Sequence, residues 1–271
     1  MLVDWIYSNP MWLVGGIIVV VCIVIACLGL YAFHLVVSLE LRRDHNDVAG
    51  FTIAIVGVVY AVLLAFIAVA TWESFSKADE VVSKEANYLG NFFYDSTGLP
   101  AEISGGLRDS LKDYVRVVIE EEWPAQQDGR IGKSNYQKGW DILGKLNLDI
   151  ARYRPHDVGE AVLYGELLRT LNELDSARRD RILAAGGHIP PVVWWIIVIG
   201  GGVTVGYTFL FGMQNFGMHL VMTGAVSGSL ALVIALIVAL DYPFRGEVSV
   251  SSDAYAAVRH IMATYNIAQR P

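Results

Sequence analysis

Residues 11–37, 48–72, 190–213 and 217–240 form four stretches without a single Asp, Glu, Lys or Arg. Each exceeds the roughly 20 residues a helix needs to cross a hydrocarbon core. No water is available there to satisfy backbone N–H and C=O groups, so such runs are predicted as helices rather than strands. Only the turn Gln214-Asn215-Phe216-Gly217 separates the last two, which predicts an antiparallel hairpin. The first two runs, joined through Glu40–Asp47, make another.

Between the pairs the period changes. Trp72 is followed by Glu73–Ala86 without Pro or Gly, with Val81, Val82, Ala86 and Leu89 at helical spacing, which predicts that the second helix continues as a rod. A break is expected where Ser96, Thr97, Gly98 and Pro100 collect. A helix over 103–123 follows, with Leu107, Leu111, Tyr114, Val115 and Val118 on one face and Pro124 as its stop. A third, over 134–153, aligns Trp140, Leu143, Leu146 and Ile150. A fourth begins at Pro155 and ends at Gly186-Gly187. Four amphipathic helices can bury one another's apolar faces. The expected fold class is therefore all-α, a polytopic membrane protein of two transmembrane hairpins (1–72 and 190–241), a cytoplasmic helical bundle (73–189) and a tail (242–271).

Composition agrees with that plan: hydrophobic residues reach 54%, charged residues fall to 17%, and mean hydropathy is +0.45. The first run is too long for a secretory signal and no basic residue precedes it, so it reads as a retained helix. Trp194, Trp195 and Tyr242 suit the headgroup level. Lys77, Lys84, Arg178, Arg179, Arg181, Arg245 and Arg259 lie on one side, against Arg42 and Arg43 on the other, which places both termini and the polar middle in the cytoplasm. The net charge of −7 and the lack of a basic patch with interleaved aromatics argue against a nucleic-acid partner. Cys22 and Cys27 read as apolar fillers inside the first run.

No phosphate loop, paired-His helix or nucleophile elbow is present, and the six histidines are scattered, so no enzyme, cofactor or metal is expected. His34 and His219, at run ends, are expected to meet water or a headgroup, and Asp241 to snorkel or cap. Small residues stripe the second run, from Gly50 through Gly57 to Ala68, and Gly202/Gly206 and Gly224/Gly228 make GxxxG steps for close helix packing. The second run also carries a bulky stripe of Phe51, Ile55, Val59 and Leu63. In a symmetric assembly such a stripe can form a constriction that gates by dewetting. Arg42, Arg43, Asn46 and Asp47, just before it, suit either a helix cap or a charged ring at a pore mouth.

The series Asn46-Asp47-x-x-Gly50, Gly57-x-x-Tyr60-Ala61-Val62-Leu63-Leu64-Ala65-Phe66, Trp72 and Tyr242-Pro243-Phe244-x-Gly246 resembles the bestrophin-like domain family of bacterial membrane proteins, and is similar, more distantly, to the bestrophin anion channels. The resemblance implies a homo-oligomer, five-fold in those channels, around a pore. It puts the neck on Phe51, Ile55 and Val59. The acidic run that binds calcium in those channels is replaced by Glu247–Asp253. Small inorganic ions, the lipid bilayer and further copies of the chain are the expected partners. The expected function is passive ion conduction across the bacterial inner membrane, with Asn46, Asp47, Arg42 and Arg43 at the mouth and Glu120, Glu121 and Glu122 in a cytoplasmic vestibule. The alternative is an oligomeric membrane-anchored scaffold or sensor whose bundle binds a cytoplasmic partner. Secondary transport would call for internal repeats and broken helices, neither of which is evident.

Overall fold

A computed structural model describes residues 2–268, leaving Met1 and positions 269–271 of the tail outside the described residues. It is all-helical, with no strand among the described residues. The chain divides into two compact units, one made of 1–73, 188–242 and 246–248, the other of 74–187, 243–245 and 249–271.

The first unit holds α1 (Leu2–Ser8), α2 (Met11–Val36), α3 (Leu39–Asp44), the first half of α4 (Asn46–Ser96), α9 (Pro191–Thr208) and α10 (Phe216–Leu240). Helices α2, α4, α9 and α10 are long and apolar enough to cross a membrane. Gly224 and Gly228 bring α10 against α2, where an added Cβ would meet Ile23 and Cys27 at 3.2–3.9 Å. Tyr60 joins α4 to α9: its hydroxyl donates to the Ile197 carbonyl at 2.7 Å, and its ring lies so close that a Cβ on Gly200 would sit 2.4 Å away. Ile197, Leu64 and Ile237 complete that small core.

Helix α9 ends at Thr208, five residues short of the apolar run, and residues 209–215 form the connection. Composition cannot mark this end. Polar contacts do: His219 is buried and its Nε2 pairs with the Thr208 carbonyl at 2.8 Å, while the Asn215 side chain accepts from Met218 N–H as the N-cap of α10. His219 therefore does not meet water or a headgroup. Asp241 does not snorkel either: it is buried and accepts the Ile189 N–H at 2.6 Å, just before α9. The short helix α1 was not expected. Tyr7 on it donates to the Val238 carbonyl at 2.6 Å, and Gly246, held at φ +84°, leaves room for the Tyr7 ring.

The second unit holds the second half of α4, α5 (Ala101–Val117), a π turn (Val118–Glu122), α6 (Trp123–Gln127), α7 (Lys133–Arg152), α8 (Val158–Gly186) and α11 (Asp253–Ala268). Buried positions recur at alternating spacings of three and four: Ala78, Val82, Glu85, Leu89 and Phe92 on α4; Tyr136, Gly139, Leu143, Leu146 and Ile150 on α7; Leu167, Leu171, Leu174, Arg178 and Arg181 on α8. That is the seam of a helical bundle. Phe244, Tyr255, Val258 and Met262 of the tail pack into the same core.

Pro124 does not end the second soluble helix. The π turn shifts bonding so that Trp123 N–H reaches the Val118 carbonyl, and Pro124 then sits in the first turn of α6, where its missing N–H costs nothing. Helix α8 likewise starts at Val158 rather than Pro155. Asp157 accepts from the Glu160 N–H at 2.8 Å while the Glu160 carboxylate accepts from the His156 N–H at 2.8 Å, a reciprocal cap that fixes the boundary.

Candidate functional site

Phe51, Ile55 and Val59 lie four residues apart on α4, so they stack along one face of the helix. They are 72%, 54% and 64% exposed within the chain. The opposite side of α4 carries Tyr60 and Leu64 into the core with α9, so the bulky stripe is the face this chain leaves unpacked. Val62 and Phe66 extend it. A face this apolar and this long requires another apolar surface, either lipid or a further copy.

At the start of α4 the four charged and polar residues diverge. Asp47 and Arg43 are exposed. Asn46 is committed to structure: its Oδ1 accepts the Gly212 N–H at 2.7 Å and its Nδ2 donates to the Gly212 carbonyl at 3.3 Å, tying α4 to the connection after α9. Arg42 is 3% exposed, with Nη2 on His34 Nδ1 at 2.6 Å. Within the chain Arg42 is buried and the Asn46 amide is tied to Gly212, so of the four residues expected at a mouth only Asp47 and Arg43 present an exposed charge. The reason is local: α3 folds back against Gly212, where a Cβ would lie 2.5 Å from Arg43 N, and turns Arg42 inward.

The glutamate trio also divides. Glu120 and Glu121 are exposed, Glu121 pairing with Lys138 at 2.5 Å. Glu122 is fully buried and cannot face a vestibule. The cause is the π turn. The buried series Leu107, Leu111, Tyr114, Val118 would put residue 121 inside next, and one extra residue per turn moves that place to Glu122.

Glu122 belongs to a buried charge cluster in the second unit. Arg178 donates from Nη2 to Glu122 Oε1 at 2.7 Å and from Nη1 to Oε2 at 2.9 Å; Arg181 donates from Nη2 to the same Oε2 at 2.9 Å and from Nε to Glu85 Oε2 at 2.7 Å. Tyr114 donates to Glu85 Oε1 at 2.6 Å and accepts from Arg178. Burial, followed by the Glu85 charge, pushes the Tyr114 hydroxyl well above its ordinary value, which keeps it a donor. Burial opposes the charge on Arg181, but Glu85 leads the groups that outweigh it and the guanidinium is held charged. Gly139 makes room, since a Cβ there would lie 2.4 Å from both Arg178 Nη2 and Glu122 Oε1. The cluster has two positive and two negative members, and its geometry suits fixing four elements in register rather than chemistry.

The sequence reading missed Glu85, Arg178 and Arg181. The signal was present: each continues the three-and-four spacing of an apolar face, where a charge has no place unless it is paired. No group of three or more His, Cys, Asp or Glu among the described residues could hold a metal ion. Glu247, in the segment after Gly246, accepts the Met11 N–H at 2.8 Å.

A comparison with curated proteins gave no match. Solved structures did. A bacterial bestrophin homologue from Klebsiella pneumoniae superposes with a TM-score of 0.65 at 13% identity, over 94% of this chain and 99% of the other. A point variant of that homologue gives 0.67 at 13% identity, over 90% and 99%. Another structure, described only as a membrane protein variant, gives 0.66 at 14% identity over 93% and 100%. At these identities the likeness is one of fold. The sequence profile of the bestrophin-like domain matches residues 20–255, which include α4 and its exposed stripe, both helices of the α9–α10 pair and the Pro243-Phe244-x-Gly246 segment, and the chain accordingly belongs to the bestrophin-like family.

Proposed function

We propose that the protein is a homo-oligomeric channel that passes small ions passively across the bacterial inner membrane. The observation that carries this reading is the unpacked stripe of Phe51, Ile55 and Val59 on a helix of a bestrophin-like chain. Copies of α4 gathered about a common axis, five by resemblance, would turn the stripe into an apolar neck that conducts only when wetted. Asp47 and Arg43 stand at the outer mouth, and Glu120 and Glu121 face the inner vestibule. The two helix pairs are transmembrane hairpins. Residues 73–189, both termini and the 242–271 tail lie in the cytoplasm, supported by the excess of Lys and Arg on that side.

The test is ion flux from proteoliposomes containing the purified protein. Wild-type protein should release trapped ions faster than empty liposomes, and Ile55→Ala, which shortens the apolar constriction, should raise the flux several-fold. Flux equal to empty liposomes in both proteins overturns conduction, as does a symmetric oligomer whose axis is sealed by side chains or lipid. A sealed axis would instead favour a membrane-anchored scaffold or sensor.

A further inference from the structure

In the first unit, α3 and the ends of α2, α4 and α9 enclose an open groove of about 420 Å³. Phe33, Val37, Leu41, Val48 and Tyr207 give it apolar and aromatic walls, and Arg42 forms part of its lining. Arg42 is 97% shielded from solvent, its Nε and Nη1 have no hydrogen-bond partner, and its one polar contact is Nη2 on His34. A guanidinium stays protonated in proteins, so this is a buried positive charge. His34 cannot balance it, because an imidazole carries no negative charge to offer. The carboxylates of the same segment, Glu40, Asp44 and Asp47, are exposed, and Arg42 takes part in no ion pair among the described residues.

A buried charge without a partner is disfavoured by its lost hydration, so its balance is expected from outside the chain. The groove says what kind of molecule fits. Its walls suit a hydrocarbon chain, its position is where membrane-crossing helices end, and a guanidinium fork matches the paired oxygens of a phosphate. A free phosphate would satisfy Arg42 and leave the apolar walls wet. We propose that this groove holds an anionic phospholipid, with the headgroup phosphate on Arg42 and an acyl chain along Phe33, Val37, Leu41, Val48 and Tyr207. The inference rests on these helices crossing a bilayer and is independent of conduction.

Native mass spectrometry of the delipidated full-length protein tests it, with phosphatidylglycerol, phosphatidylcholine and inorganic phosphate added separately and together. Wild-type protein should retain phosphatidylglycerol in clear preference to phosphatidylcholine. Arg42→Gln should weaken phosphatidylglycerol retention about tenfold and erase the preference. Val48→Trp, an exposed position on the groove wall, should weaken retention of the lipid without touching the guanidinium, and it carries the test should Arg42→Gln fail to fold. Equal retention in wild type and Val48→Trp overturns the proposal. So does displacement of phosphatidylglycerol by an equal concentration of inorganic phosphate, which would mean that the site takes a free anion. Dissociation of the oligomer by Arg42→Gln with unchanged lipid retention also overturns it, because the missing charge would then come from a neighbouring copy.

Discussion

Glu121 and Glu122 are adjacent, identical and differently placed, and the difference sets the energy at stake in each. Glu121 pairs with Lys138 at the surface, where solvent screens the charges and an ion pair contributes about 0–1 kcal/mol. Glu122 balances two fully buried guanidinium groups. Glu122→Gln would keep the volume and remove the charge, leaving Arg178 and Arg181 with an uncompensated excess, at a cost of about 3–5 kcal/mol. Unfolding in detergent followed by circular dichroism should show a large drop in midpoint for Glu122→Gln and almost none for Glu121→Gln. Equal midpoints would mean that water enters the cluster. The run of three glutamates is legible in the sequence as a charge run and no further. Helical spacing alone would turn residue 121 inward, and the π turn that selects 122 leaves no mark in composition. Arg178 and Arg181 were legible in principle, because they extend the apolar face of Leu167, Leu171 and Leu174.

Among the elements, the long apolar helices were the most legible and the boundaries set by polar caps the least. Met11–Val36 falls within a residue of its apolar run because Pro10 precedes it and Ser38 caps the next helix. By contrast, α8 begins where Asp157 accepts from the Glu160 N–H and the Glu160 carboxylate accepts from the His156 N–H, and a proline three residues before Val158 drew the expectation to the wrong place. That cap has a pH signature. The hydrogen bond from Tyr153, and after it the His156 N–H, holds the Glu160 carboxyl below its ordinary value, while the Tyr153 hydroxyl is pushed up to about 12 by the same bond. A carboxyl depressed in the folded state adds stability that is present above its unfolded value, about 4.3, and is lost as pH falls through the folded value. Amide protection factors over residues 158–161, in which the intrinsic pH dependence of exchange is divided out, should therefore fall as the solution is taken below about pH 4.3. In Glu160→Gln, which accepts hydrogen bonds but does not titrate here, the acid dependence should disappear. If the variant retains it, another carboxylate governs the start of α8.

For the whole molecule, the telling contrast lies between two GxxxG steps that look alike in sequence. Gly224 and Gly228 are used within the chain, each within 4 Å of α2 side chains. Gly202 and Gly206 face nothing within 4 Å, and Gly202 is exposed on α9. Small residues in membrane helices let backbones approach closely, so an unused step is a surface still awaiting a helix. The family and the unpacked α4 stripe both call for further copies, and the open step on α9 is where one can dock. Substituting Leu at Gly202 and Gly206 should leave the chain folded, as no side chain stands in the way, but shift the particle toward single chains by native mass spectrometry. Leu at Gly224 and Gly228 should do the reverse. The added side chains would push Ile23 and Cys27 aside, separating α10 from α2 and lowering the unfolding midpoint, with cost typical of overpacking at about 1–3 kcal/mol or more. An oligomer that survives Leu at both Gly202 and Gly206 would assign that step to lipid and leave α4 alone to bring the copies together.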